Sequence, residues 1–151
     1  MELLQILKPL MELEYQMHRV YMWFSDVYHE VNGASLMFRT MAKEELKHRD
    51  IVQQQMQLVK ERFREYDTVE ADLKGVVTLT DLLRDIADKR EKMPIREALD
   101  VAVQIEQSAV ETHYRFLIAK ASPVLTELTA QLADADRVHV RRLIDFRNRI
   151  S

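Results

Sequence analysis

The sequence predicts an all-α protein: a four-helix bundle of two tight helical hairpins joined by a long crossover that carries a short helix of its own. Three observations lead there. Only 2 Gly and 3 Pro occur in 151 residues, which leaves little turn chemistry and favours residues that lose little entropy in a helix. Apolar residues recur at alternating spacings of three and four over long stretches, the period of a helix with one buried face. The helix breakers fall at Asn32-Gly33, Gly75, Pro94 and Ser122-Pro123, cutting the chain into four long segments and one shorter one.

The first long helix ends near residue 31, where Asn32-Gly33 supplies a left-handed stop, and Ser35 caps the next. Its start is open between Pro9, which suits a first helical turn, and an apolar lead-in over residues 2–7. The second long helix spans about 35–64. A crossover over 65–93 contains Gly75 and a capping box, Thr78 with Asp81, ahead of the amphipathic stretch Leu79–Ala87. Pro94 and Ser122-Pro123 open the third and fourth long helices, about 94–120 and 122–149. One domain over the whole chain is expected, since a chain of this length buries a single core.

Composition excludes several function classes. With 22 basic and 25 acidic residues and a formal charge of −3, no basic excess drives binding to nucleic-acid phosphates. No cysteine occurs, so disulfides, thiolate metal sites and thiol nucleophiles are out. Neither a basic start followed by an apolar run nor a membrane-length apolar stretch is present. A cytoplasmic protein without membrane or nucleic-acid partners is expected.

The chemistry appears on the core-facing seams. The first reads Leu10, Glu14, Met17, Tyr21, Phe24, Tyr28, Val31, and the second Phe38, Met41, Glu45, His48, Val52, Met56, Val59, Phe63. The third reads Leu99, Ala102, Glu106, Ala109, His113, Phe116, and the fourth Leu125, Leu128, Leu132, Asp136, His139, Leu143, Phe146, Ile150. Each apolar stripe is broken by acid at one level. A carboxylate removed from water costs several kcal/mol even after relaxation. Four converging in one core therefore need compensation, and two divalent cations balance four carboxylates, leaving neutral histidines to complete the coordination.

Spacing agrees. Glu45 with His48, and Asp136 with His139, are three residues apart and share a helix face, as a chelating Glu-x-x-His pair requires. Glu14 to Glu106 is an offset of 92, and Glu45 to Asp136 and His48 to His139 are offsets of 91. Two hairpins related by a pseudo-two-fold axis would bring all six side chains to one height. Asp26 with His29 repeats the spacing, but on the face opposite Phe24 and Tyr28. Taken singly, each acid reads as a solvated or salt-bridged residue; the six together read as a metal site. Tyr28 and the methionines read as packing residues, and the arginines near the end of the fourth long helix as a solvated face favoured by the helix dipole.

These residues resemble the ferritin-like di-iron family, in particular its bacterioferritin and rubrerythrin branches. The resemblance spans nearly the whole chain. It rests on Glu14 with Tyr21, the run Ala-Lys-Glu-Glu-Leu-Lys-His at 42–48, Ile-Glu-Gln-Ser-Ala at 105–109 leading to His113 and Tyr114, and Asp136 with His139. It implies a ferritin-like fold with two iron ions held by Glu14, Glu45, His48, Glu106, Asp136 and His139. Glu45 and Asp136 would bridge, Glu14 and Glu106 would be terminal, and each ion would take one histidine. His113 reads as a hydrogen-bonded core histidine beside the ligands rather than a seventh ligand; Tyr21 and Tyr114 read first as packing residues with a polar handle and second as neighbours of the ligands. Asp136 stands where the family has Glu, Ala109 where rubrerythrins have a further Glu, and Leu46 where bacterioferritin has its haem-ligating Met, so no haem is expected.

Oxygen and nitrogen ligands without thiolate suit Fe, with Mn or Zn as alternatives. The function expected is oxidation of Fe(II) by dioxygen or peroxide, in iron handling or peroxide defence, with an electron donor the sequence does not name. The competing reading is a non-catalytic bundle with a structural metal or an interaction role; a third is oxidation of an organic substrate. Trp23, Tyr15 and Leu36 on outer faces point to a homo-oligomer, a dimer at least.

Overall fold

The computed structural model describes residues 2–61, 71–119 and 123–150, with the backbone alone at 117–119. Five helices and no strand occur among them: α1 Leu3–Val27, α2 Ala34–Glu61, α3 Lys74–Lys89, α4 Ile95–Ala119 and α5 Pro123–Arg149. Phe63, Ser122 and the first part of the crossover lie outside the described residues.

The apolar lead-in wins at the N-terminus. Gln5 accepts a hydrogen bond from the Glu2 amide at 2.8 Å, and the helix runs on from Leu3 with Pro9 inside it. An interior proline costs about 3 kcal/mol. Ile6, Leu7 and Leu10 on either side are fully buried and contribute about 1.5–3 kcal/mol each, enough to outweigh it.

Two caps differ from expectation. α1 stops at Val27 and the chain turns through 28–33, so Gly33, at φ +83°, precedes α2 rather than closing α1. Its carbonyl accepts from the Met37 amide at 3.1 Å, which puts Gly33 at the cap and Ser35 inside α2. Ser35 Oγ meets Ser25 Oγ at 3.3 Å instead. Likewise α3 begins at Lys74, whose amide donates to Asp72 Oδ1 at 2.9 Å. The Thr78–Asp81 box is thus within the helix and caps nothing; packing of Val76 and Leu79 against the core extends α3 upstream.

Contacts fix the helix directions. α1 packs along α2 and α4 along α5. Tyr28 donates to the Met93 carbonyl at 2.6 Å, Tyr21 to Glu106 Oε1 at 2.8 Å, and Glu14 meets His113 at 3.1 Å; α1 and α4 therefore run antiparallel. α3 pairs Arg84 with Glu12 and Asp88 with Arg19, so it runs parallel to α1 along its outer side, the direction a chain must take from the end of α2 to the start of α4. In each of the four long helices the polar level is flanked by apolar residues, such as Leu10 and Phe24, Phe38 and Val52, Leu99 and Phe116, Leu132 and Leu143, all buried.

Candidate metal centre

All four seam acids are fully buried: Glu14, Glu45, Glu106 and Asp136 are each 0 % exposed. His113 and His139 are buried beside them, and His48 keeps 12 % of its side chain exposed. Ligand atoms of Glu45, Glu106, Asp136 and His139 lie within 4.8 Å of one another, and so do those of Glu14, Glu45 and His48. All six seam residues named from the sequence are brought together, in two groups that share Glu45.

Nitrogen placement is chemically consistent. His48 turns Nδ1 toward Glu45 Oε2 at 3.2 Å and Glu14 Oε2 at 3.7 Å. His139 turns Nδ1 toward Glu45 Oε1 at 2.9 Å and Glu106 Oε1 at 3.1 Å. The other nitrogen of His139 contacts Glu44 Oε2, and Glu44 accepts from Arg142 Nη1 at 3.1 Å. A carboxylate on the far nitrogen fixes the tautomer and orientation of a ligating imidazole. Sequence reading missed Glu44, which sits on the acid-rich run beside Glu45; it also placed Arg142 on a purely solvated face. No local spacing signals either, since Glu44 reaches both partners across helices.

Electrostatics show the strain of the arrangement. Two like charges about 4 Å apart repel by roughly 4 kcal/mol at an effective dielectric constant of about 20. In the polypeptide by itself, burial raises the Glu45 carboxyl well above the usual range, and the charges of Glu106 and Glu14 add to the effect. Burial pushes Glu106 up to about 7, with His139 opposing, and raises Asp136 against the pull of His113. Burial would raise Glu14 too, but His113 and His48 outweigh it and hold that carboxyl low. Burial lowers the imidazoles, yet the facing carboxylates lift His48 and His113 to about 10 and His139 to about 11. Burial, then the charges of Glu106 and Glu45, raise the Tyr21 phenol, which stays a donor.

The donor set fits cations. Both oxygens of Glu14, Glu45 Oε1, Glu106 Oε2 and Asp136 Oδ1 are buried with no hydrogen bond of sound geometry. An ionised carboxylate only accepts; Glu14 Oε1 and Glu45 Oε1 face imidazole nitrogens at 3.1 and 2.9 Å, while Glu106 Oε2 and Asp136 Oδ1 are buried without a donor, so the set could hold a cation.

Two expectations are corrected, and His113 stands where it was expected, beside the acids. Tyr114 is 44 % exposed rather than buried with the acids, because the next residue after buried His113 lies about 100° around the helix. Asp136 does not stand between the two groups as Glu45 does. Its shorter side chain belongs to one group, and its Oδ2 accepts from His113 Nδ1 at 2.6 Å. His113 itself touches two of the acids, Asp136 and Glu14, where Tyr21 touches one.

The fold and site define a helical protein with a buried carboxylate–histidine cluster able to hold metal. No protein-family model, curated protein or solved structure matches the chain. No helix among the described residues is long and apolar enough to cross a membrane.

Proposed function

We propose that the chain is a ferritin-like di-metal carboxylate protein that oxidises Fe(II) with dioxygen or peroxide, in iron handling or peroxide defence. The observation that carries this reading is that four fully buried acids are gathered within ligand distance of two histidines. The helix directions, with α3 returning the chain along α1, suit the same family.

Glu14, Glu45 and His48 would hold one ion and Glu45, Glu106, Asp136 and His139 the other. When bound, iron at such a site supplies one-electron redox chemistry, the carboxylates stabilising the higher charge. The protein's own part is placement. Tyr21 steadies Glu106 through its hydroxyl, Glu44 orients His139, and the apolar layers on both sides keep water from the acids. His48, the least buried ligand, marks the side from which Fe(II) substrate and oxidant approach.

Adding Fe(II) anaerobically and then admitting oxygen or peroxide should raise the near-ultraviolet ferric absorbance faster than in buffer. A Glu45→Ala, His48→Ala double variant should lose that acceleration; equal rates would refute the oxidase reading. Complete burial of the four acids also favours a second reading, a structural ion, for which metal analysis would return zinc and no acceleration by either protein.

A further inference from the structure

The two halves of the site are not equivalent, and the difference traces to three positions. Under the offsets of 91 and 92, Asp136 answers to Glu45, Ala135 to Glu44, and His113 to Tyr21. Asp136 is one methylene shorter than its counterpart. Ala135 has no polar group to offer His48, whereas Glu44 engages the far nitrogen of His139. His113 is the most consequential. Tyr21 presents one hydroxyl to one acid, Glu106 Oε1, at 2.8 Å. His113 presents two ring edges, Nδ1 at 2.6 Å from Asp136 Oδ2 and Nε2 at 3.1 Å from Glu14 Oε1. One fully buried imidazole thus spans an acid from each ligand group.

The outcome is visible in the grouping. Four buried ligands surround one position, and the other has three, of which His48 is partly exposed. Asp136, drawn to His113, does not join the second group.

We propose that the two metal positions fill in order, first Glu45–Glu106–Asp136–His139 and then Glu14–Glu45–His48, and that His113 is the positioning residue that separates their affinities. This rests on the di-metal reading. His113 lies 3.1 Å from Glu14 Oε1 as a charge neighbour, and its hydrogen bond to Asp136 Oδ2 holds Asp136 away from the second ion. The second position then has fewer and less committed ligands, and it is the exchangeable one.

Anaerobic titration of the full chain with Co(II), followed by visible d–d absorbance and by calorimetry, tests the order. Wild type should bind two ions in two steps at least tenfold apart in Kd. Glu14→Gln should lose the second step and keep the first. Glu106→Gln should weaken the first at least tenfold. His113→Tyr, which copies the residue of the other half and releases Asp136, should bring the two steps together by about tenfold. Two ions bound in one undifferentiated step, or Glu14→Gln weakening both steps alike, would overturn the proposal while leaving the di-metal reading standing. An unchanged separation in a folded His113→Tyr protein would overturn the role of His113. No Co(II) bound by folded wild type would instead defeat the di-metal reading and the filling order with it. Should His113→Tyr fail to fold by circular dichroism, the Glu14 and Glu106 variants still decide the order.

Discussion

The Tyr21 hydroxyl donates to Glu106 Oε1 across 2.8 Å, joining α1 to α4 at the level of the buried acids. Removing it by Tyr21→Phe leaves a buried carboxylate with one donor fewer, at a cost of about 1–2 kcal/mol. For a chain of this size that is a fall of several degrees in melting temperature. Scanning calorimetry of the metal-free protein checks it, and an unchanged transition would show that the hydrogen bond contributes nothing net.

Glu44→Gln should act on metal rather than on the fold. It removes the carboxylate from the far nitrogen of His139 and the partner of Arg142. Losses of about 10–100-fold in affinity are typical when such an orienting group is changed. Competition with a chromophoric chelator measures it. Wild-type affinity in the variant would mean that packing alone orients His139.

Stability of the metal-free protein should fall as pH rises. Glu106, at about 7 against an ordinary 4.5, favours the fold below 4.5 and loses that contribution as pH climbs through 7. His48 and His113, at about 10, and His139, at about 11, favour the fold below 6.5 and lose theirs as pH rises through those values. Glu14 and Glu44, whose carboxyls are held low, act oppositely, and their contribution is lost only as pH falls below 4.5. Urea unfolding from pH 5 to 9 should therefore show a declining midpoint; a rising one would contradict the burial of unpaired acid.

Metal binding should show the reverse dependence. Ligation needs Glu45 and Glu106 ionised and His48 and His139 neutral, so each ion bound expels protons and affinity climbs with pH. Calorimetry in two buffers of different ionisation enthalpy reads the proton count directly. Binding without proton release would place the ion elsewhere.

Gly33 tests the first hairpin independently. Its φ is +83°, and a Cβ would sit 3.4 Å from Phe146 Cε2. Gly33→Ala should cost about 1 kcal/mol or more through the left-handed backbone, with Gly33→Asn milder, as chemical denaturation would show.

The periodic features were legible in the sequence, and the reasons are local. A helix repeats its buried face every three or four residues, so the stripes through Leu10–Phe24 and Leu125–Phe146, and the acids breaking them, could be read without a structure. Caps were less legible because packing decides them: Gly33 takes the cap expected of Ser35 once α1 stops at Val27, and buried Val76 draws the start of α3 back to Lys74. Cross-helix partners outside the six seam ligands were not legible. Nothing in local spacing pairs Glu44 with His139, or tells that His113 reaches both Glu14 and Asp136 while its neighbour Tyr114 faces solvent.

Metal-soaked crystals examined by anomalous scattering test most directly whether inward-facing acids are matched by cations. Two peaks are expected roughly 3.5–4 Å apart, one among Glu45, Glu106, Asp136 and His139 and one among Glu14, Glu45 and His48. Ordered crystals with no peak at either place, and the same acids satisfied by imidazolium and water alone, would contradict it.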